Sequence, residues 1–144
     1  MLKNWIYVGI VCLIFFNFSC FLFKNRNVSY QKVLLKIKTD ETANAGRSFY
    51  LAVIKVKDER KFAVESYQEV LDRVLNSEGD ESLLALRIML PGKKEKIYIY
   101  TQKFQPIAIY AFFTEPSPYW KLLLKEPLKK KYKIIVEGNR LRLK

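Results

Sequence analysis

Histidine is missing from all 144 residues, and cysteine occurs only twice, at Cys12 and Cys20. The first absence removes the commonest general base and metal ligand. Serines 48, 66, 77, 82 and 117 therefore have no imidazole to activate them, and nothing singles out one lysine among many as a substitute base. Both cysteines stand near the N-terminus, so the part that folds has no disulfide and no thiolate site and must rest on ordinary packing. The five glycines are isolated from one another, which excludes a glycine-rich phosphate cradle. Acidic residues are few, 14 against 26 lysines and arginines. No catalytic set, metal site or cofactor site assembles from what is left.

What the chain does have begins with a greasy N-terminus. Trp5 to Phe16 is a run of twelve apolar residues, counting Gly9, preceded by Lys3 and by no acid. That is the layout of an export signal. Extended through Cys20 to Phe23, the run is nineteen residues long and is closed by Lys24 and Arg26, about the ~20 residues that a membrane-spanning helix needs. Bacterial lipoprotein signals place small residues before the modified cysteine. Ser19 fits that pattern, whereas Asn17 and Phe18 do not, so lipoprotein and signal anchor both stay open at this point.

Downstream, 24–30 is polar and aperiodic and reads as a tether. Alternating stretches then predict strands at "KVLLKIK" (32–38), "FYLAVIKVK" (49–57), "LLALRIML" (83–90), "KIYIYTQ" (96–102), "IAIYAFF" (107–113), "YWKLLL" (119–124), "YKIIVE" (132–137) and "RLRLK" (140–144). Gly138 and Asn139 supply a two-residue hairpin turn between the last two. Between the second and third strands, Asp58 N-caps one predicted helix over 59–75, with Val64, Tyr67, Leu71 and Val74 as its buried stripe, widened by Val70 and Leu75. Its acids Glu65, Glu69 and Asp72 read as the solvent face, not as a paired-carboxylate site. Eight short strands and one helix in about 125 residues predict one domain, an antiparallel two-sheet sandwich.

The net charge of +12 falls by one, for Lys3, when 1–19 is removed. On an exported domain such charge points to acidic lipid, another polyanion or an acidic partner, and nucleic acid is not expected. The preferred reading is a solvated lysine-rich surface, because no single run exceeds Lys129 to Lys131. Tyrosines interleaved with lysines, as in "KIYIYTQKF", match a single-strand nucleic-acid platform and equally the outer face of a sandwich. Trp120 beside Lys121 is expected to be a core anchor, with a binding hot spot as the sharper alternative.

The order of these parts resembles the TssJ family, the outer-membrane lipoprotein of bacterial type VI secretion systems. The matching residues are Phe62, Tyr67 and Val70 in the helix, the turn Leu90-Pro91-Gly92, and Ala111-Phe112-Phe113 followed by Trp120-Lys121. The resemblance implies a transthyretin-like β-sandwich with an inserted helix, held at the periplasmic face of the outer membrane through an acylated Cys20. It implies 1–19 as a lipoprotein signal peptide, 20–31 as lipidated cysteine and tether, and 32–144 as the sandwich. The implied partner is the periplasmic C-terminal domain of a TssM-like inner-membrane protein, with a TssL-like protein in the same complex. In that family the contact runs through the loop between the first two strands, here 39–48, which makes Asp40, Glu41, Asn44 and Arg47 the expected partner-binding residues. The implied role is not enzymatic. The competing expectation is a periplasmic sandwich on a single-pass inner-membrane anchor that binds a small ligand or polyanion. Hydrolases of the transthyretin-like fold depend on histidine, which this chain lacks.

Overall fold

The computed structural model describes residues 28–77 and 80–144. The apolar N-terminal segment, Cys20 and most of the expected tether lie outside them. No helix among the described residues is long and apolar enough to cross a membrane.

Eight strands build two four-stranded sheets. In chain order they are β1 (Tyr30–Thr39), β2 (Phe49–Lys55), β3 (Leu83–Met89), β4 (Lys94–Gln102), β5 (Ile107–Phe112), β6 (Lys121–Leu124), β7 (Lys131–Glu137) and β8 (Arg140–Leu143). Sheet 1 has the order β4-β1-β7-β8 and sheet 2 the order β3-β2-β5-β6. This is the expected sandwich of eight strands, with one departure from a purely antiparallel arrangement: β1 and β7 run parallel, Leu34 opposite Lys131 through Thr39 opposite Val136. The pairing is reached by the long excursion through sheet 2, the crossover that a parallel pair requires.

Side-chain alternation decides the faces. In β1, Val33, Leu35 and Ile37 turn inward and are fully buried, while Lys32, Lys36 and Lys38 turn outward. In β4, Ile97 and Ile99 face the core and Tyr98 and Tyr100 face solvent. Strand β5 is different, since all six of its residues are buried. One of its faces meets the core and the other is covered, which is why it reads as a continuous apolar run and not as an alternation.

The cover is helical, and it corrects the single predicted helix. Helix α1 (Glu59–Val64) starts at Asp58, whose side chain accepts from the Arg60 N–H, and stops at Glu65. Helix α2 (Tyr67–Leu75) starts afresh at Ser66, where a reciprocal capping box joins the Ser66 and Glu69 side chains to each other's backbone N–H. Ser66 and Glu69 have the S-x-x-E spacing of that motif, and a strong N-cap in mid-pattern breaks the helix and shifts its phase. Val64 is consequently 83% exposed and Leu75 is exposed as well, whereas Val70 and Val74 are buried as expected.

The break also moves Glu65 from the expected solvent face to an inward position. Its side chain is only 6% exposed, pairs with Arg73 at 3.2 Å and accepts a short hydrogen bond from the Tyr110 hydroxyl. Burial first, and then that carboxylate, push the Tyr110 phenol far above its ordinary range, so it stays a donor. Five of the residues that carry the family resemblance, Phe62, Tyr67, Phe112, Trp120 and Lys121, meet here. The Tyr67 ring lies 5.1 Å from Trp120 and 5.7 Å from Phe112, and Tyr110 lies 5.5 Å from Trp120. Lys121 donates to the Phe62 and Glu65 carbonyls at the end of α1 (2.5 and 3.1 Å), a cation at a helix C-terminus. Trp120 is the core anchor, 7% exposed.

Candidate functional site

β1 and β2 belong to different sheets, so the segment Asp40–Ser48 must bridge the two layers at one end of the sandwich. That end is remote from the point where the chain enters at Tyr30, because the ten residues of β1 span roughly 30 Å. The bridge contains a short 3-10 turn, Ala43–Gly46, in which Asn44 (φ 51°), Ala45 (φ 54°) and Gly46 (φ 75°) are successively left-handed. A left-handed turn is costly for L-residues, on the order of 1–2 kcal/mol at Ala45. Such a turn persists only where its surroundings fix it.

Asn44 does the fixing. Expected to face a partner, it is instead 1% exposed and its side-chain amide is satisfied inside the protein. Its Nδ2 donates to the Ser48 carbonyl (2.8 Å) and its Oδ1 accepts from the Thr114 N–H (2.7 Å), while its own N–H donates to the Gly138 carbonyl (3.0 Å). One residue thus ties the β1–β2 loop to the β5–β6 loop and to the β7–β8 hairpin. Asp40 adds further ties. Its N–H donates to the Val136 carbonyl, its carbonyl accepts from the Gly92 N–H (2.9 Å), and its carboxylate accepts from the Thr42 hydroxyl. The buried Thr39 hydroxyl donates to the Leu90 carbonyl at 2.7 Å and accepts from the Lys93 N–H at 2.9 Å, which fastens the Leu90-Pro91-Gly92 turn alongside.

What this scaffold presents outward is Glu41, Ala45, Gly46, Arg47 and Ser48, all exposed. Among the described residues, neither Asp40, Glu41 nor Arg47 takes part in an ion pair, so the loop offers charges of both signs to solvent. Half-exposed Leu90 and Tyr119 flank it, the latter under the Arg140 guanidinium at 4.2 Å. Beside Ser48 opens a groove of about 510 Å³ lined by Tyr50, Tyr67, Leu71, Ile88, Phe112 and Thr114. A rigid loop with a charged tip next to an apolar groove can recognise a protein surface.

The structure gathers Asp40, Glu41 and Arg47 at one edge, in line with the expected loop, and assigns Asn44 to positioning. Sequence reasoning missed Leu90 and Tyr119 as exposed neighbours, because strand order alone does not say which turns share an end. Cys20 lies outside the described residues. Among the described residues no group of three or more acidic, cysteine or histidine side chains converges as metal ligands would.

A family model described as "IglE, N-terminal domain" matches residues 50–136. Solved structures share the fold. A chain of a structure described as "Type VI membrane complex" superposes with a TM-score of 0.63 at 21% identity, over 79% of this chain and 98% of that one. The type VI lipoprotein TssJ1 of Pseudomonas aeruginosa gives 0.61 at 12% identity, over 81% and 96%. A chain in a structure described as the type VI protein TssM C-terminal domain from EAEC gives 0.56 at 21%, over 78% and 99%. No curated protein matches the chain by sequence.

Proposed function

The chain belongs to the IglE N-terminal domain family, TssJ-like lipoproteins of type VI secretion, and from that premise we propose that it anchors a type VI membrane complex at the outer membrane. Cys20, acylated after removal of 1–19, is the membrane attachment, and residues 20–31 are the tether. Several acyl chains at about 0.8 kcal/mol per buried CH₂ make such an attachment effectively permanent. The domain faces the periplasm and holds the periplasmic C-terminal domain of a TssM-like protein, with a TssL-like protein elsewhere in the assembly. The role is structural and non-enzymatic.

The observation that carries this reading is the left-handed turn held by Asn44, at the end of the sandwich opposite the chain's entry at Tyr30. Strain fixed by its surroundings is characteristic of binding loops, and a rigid loop binds with less ordering cost than a floppy one. Placing it opposite the anchor leaves partner and membrane free to be held at once. Asp40, Glu41 and Arg47 make the contact on this reading, and Asn44 shapes the surface that makes it.

Two measurements test it. Metabolic labelling with a palmitate analogue should mark the wild-type chain and not Cys20→Ser, and an unlabelled wild type would remove the lipoprotein claim. Co-purification of the TssM-like periplasmic domain should fail for the combined Asp40→Ala, Glu41→Ala and Arg47→Ala variant. Undiminished co-purification would rule the loop out.

A further inference from the structure

Among the described residues no element covers the outer face of sheet 1, and that face carries a charge pattern that its own fold opposes. Its strands hold nine lysines and arginines against Glu95 and Glu137, whereas the strands of sheet 2 hold only Lys55, Arg87 and Lys121. The cations stand in register. Lys96, Lys36 and Lys133 are direct cross-strand partners, and the Lys144 N–H donates to the Lys133 carbonyl at the end of the same row. Lys94 and Lys38 form the next row. Like charges directly opposite each other destabilise a sheet. The repulsion is visible in Lys36, whose ammonium is pushed below its ordinary range by Lys131 first, and then also by Lys96 and Lys133. A solvated lysine surface does not need this alignment, but an anionic counter-surface is recognised by it.

The half of the face where the chain enters is aromatic. Tyr30 pairs across from Gln102, Lys32 from Tyr100 and Leu34 from Tyr98, and the rings of Tyr30, Tyr98 and Tyr100 are each more than half exposed. The Lys32 ammonium lies 4.3 Å over the Tyr98 ring. Just beyond β4, Phe104 is 65% exposed on a turn whose Lys103 N–H donates to the Ser29 carbonyl. Amphipathic rings beside lysines are the composition of a protein surface at headgroup level. Six residues separate Phe23 from Tyr30, a reach of at most about 25 Å, so a membrane that holds the apolar segment is close to this edge.

We propose that sheet 1 lies with its outer face on an anionic phospholipid surface, the rows of Lys36, Lys96 and Lys133 against phosphates and the rings of Tyr98, Tyr100 and Phe104 at headgroup depth. The helices then face away from the membrane, and the β1–β2 loop projects sideways along it. The docking rests on the membrane anchorage proposed above. The aromatic edge beside the chain's entry favours lipid over an acidic protein as the counter-surface. Each lysine brought to an anionic surface strengthens association by about fivefold, screened within a Debye length.

The test uses the full chain in vesicles of phosphatidylcholine alone and of phosphatidylcholine with phosphatidylglycerol, read by flotation and by residue-resolved lysine acylation. Lys36, Lys96 and Lys133 should react severalfold more slowly on the anionic vesicles, while Lys57 and Lys61, on the opposite side, react alike on both. High salt should erase the difference. The double variant Lys36→Glu, Lys133→Glu should fold normally and leave Lys96 unprotected. A chain that does not float with neutral vesicles overturns the anchorage and the docking with it. A chain that floats with both but shows equal lysine reactivity overturns the docking alone and leaves the lysine face to an acidic protein.

Discussion

The two sheets share one core, yet their outer faces are opposites. Sheet 2 is roofed by α1 and α2, with Tyr67, Tyr110, Phe112 and Trp120 packed ring against ring, Glu65 paired with Arg73 and Lys121 donating to the Glu65 carbonyl beneath the roof. Sheet 1 has no roof among the described residues, and alternates buried aliphatics with exposed lysines and tyrosines. The difference separates two roles. The roofed face fixes how stable the domain is, whereas the bare face contributes little to stability and is available for association. Substitutions should sort accordingly: those under the roof unfold the protein, and those on the bare face leave it folded.

The largest expected effect is Trp120→Ala. Emptying the centre of the aromatic cluster should cost about 3–5 kcal/mol in urea unfolding, with the slope unchanged. An unfolding midpoint that hardly moves would show that the roof is not a stabilising layer. Glu65→Ala comes next. It leaves the Arg73 guanidinium and the Tyr110 hydroxyl without their partner in a mostly buried site, a loss of about 2–3 kcal/mol. In a double-mutant cycle with Tyr110→Phe that loss should shrink, because the orphaned hydroxyl is removed too.

Ser66→Ala should cost about 1 kcal/mol by deleting the cap that begins α2. The Ser66 backbone and side-chain hydrogen bonds hold the Glu69 carboxyl below its ordinary range. A folded value below the unfolded one stabilises at pH above the unfolded value and is lost as the pH falls through the folded value. The stability difference between the wild type and Glu69→Gln should therefore be present near neutrality and vanish in acid. The smallest effect, and of opposite sign, belongs to the bare face. Lys36→Glu should slightly raise the melting temperature at low salt by relieving its lysine neighbours, and the gain should fade as salt is added. A destabilised Lys36→Glu would contradict the separation of roles.

Much of this contrast was legible in the sequence. The alternation of Val33, Leu35 and Ile37 with lysines set the orientation of β1. Three features were not read. A single 3.6-residue period was carried across Glu65 and Ser66, although the S-x-x-E spacing of a capping box stood in its middle, so Val64 was placed on the wrong side. The alignment of Lys36 with Lys96 and Lys133 depends on the order β4-β1-β7, and no local pattern shows which strands will be neighbours. Asn44, expected as a partner-binding residue, is buried. The family resemblance implied a contact residue there, while its three hydrogen bonds reach Ser48, Thr114 and Gly138, the last two distant in sequence.

The measurement closest to the central claim is calorimetric titration of the purified TssM-like periplasmic domain into the full chain and two variants of it. Replacing Asp40, Glu41 and Arg47 together by alanine should weaken binding by roughly tenfold or more, about 1.4 kcal/mol per factor of ten. Lys36→Glu with Lys133→Glu should leave it within about twofold, less than ~0.5 kcal/mol. Full affinity in the loop variant, with binding lost in the lysine variant, would contradict the account and move the partner from the loop to the bare sheet.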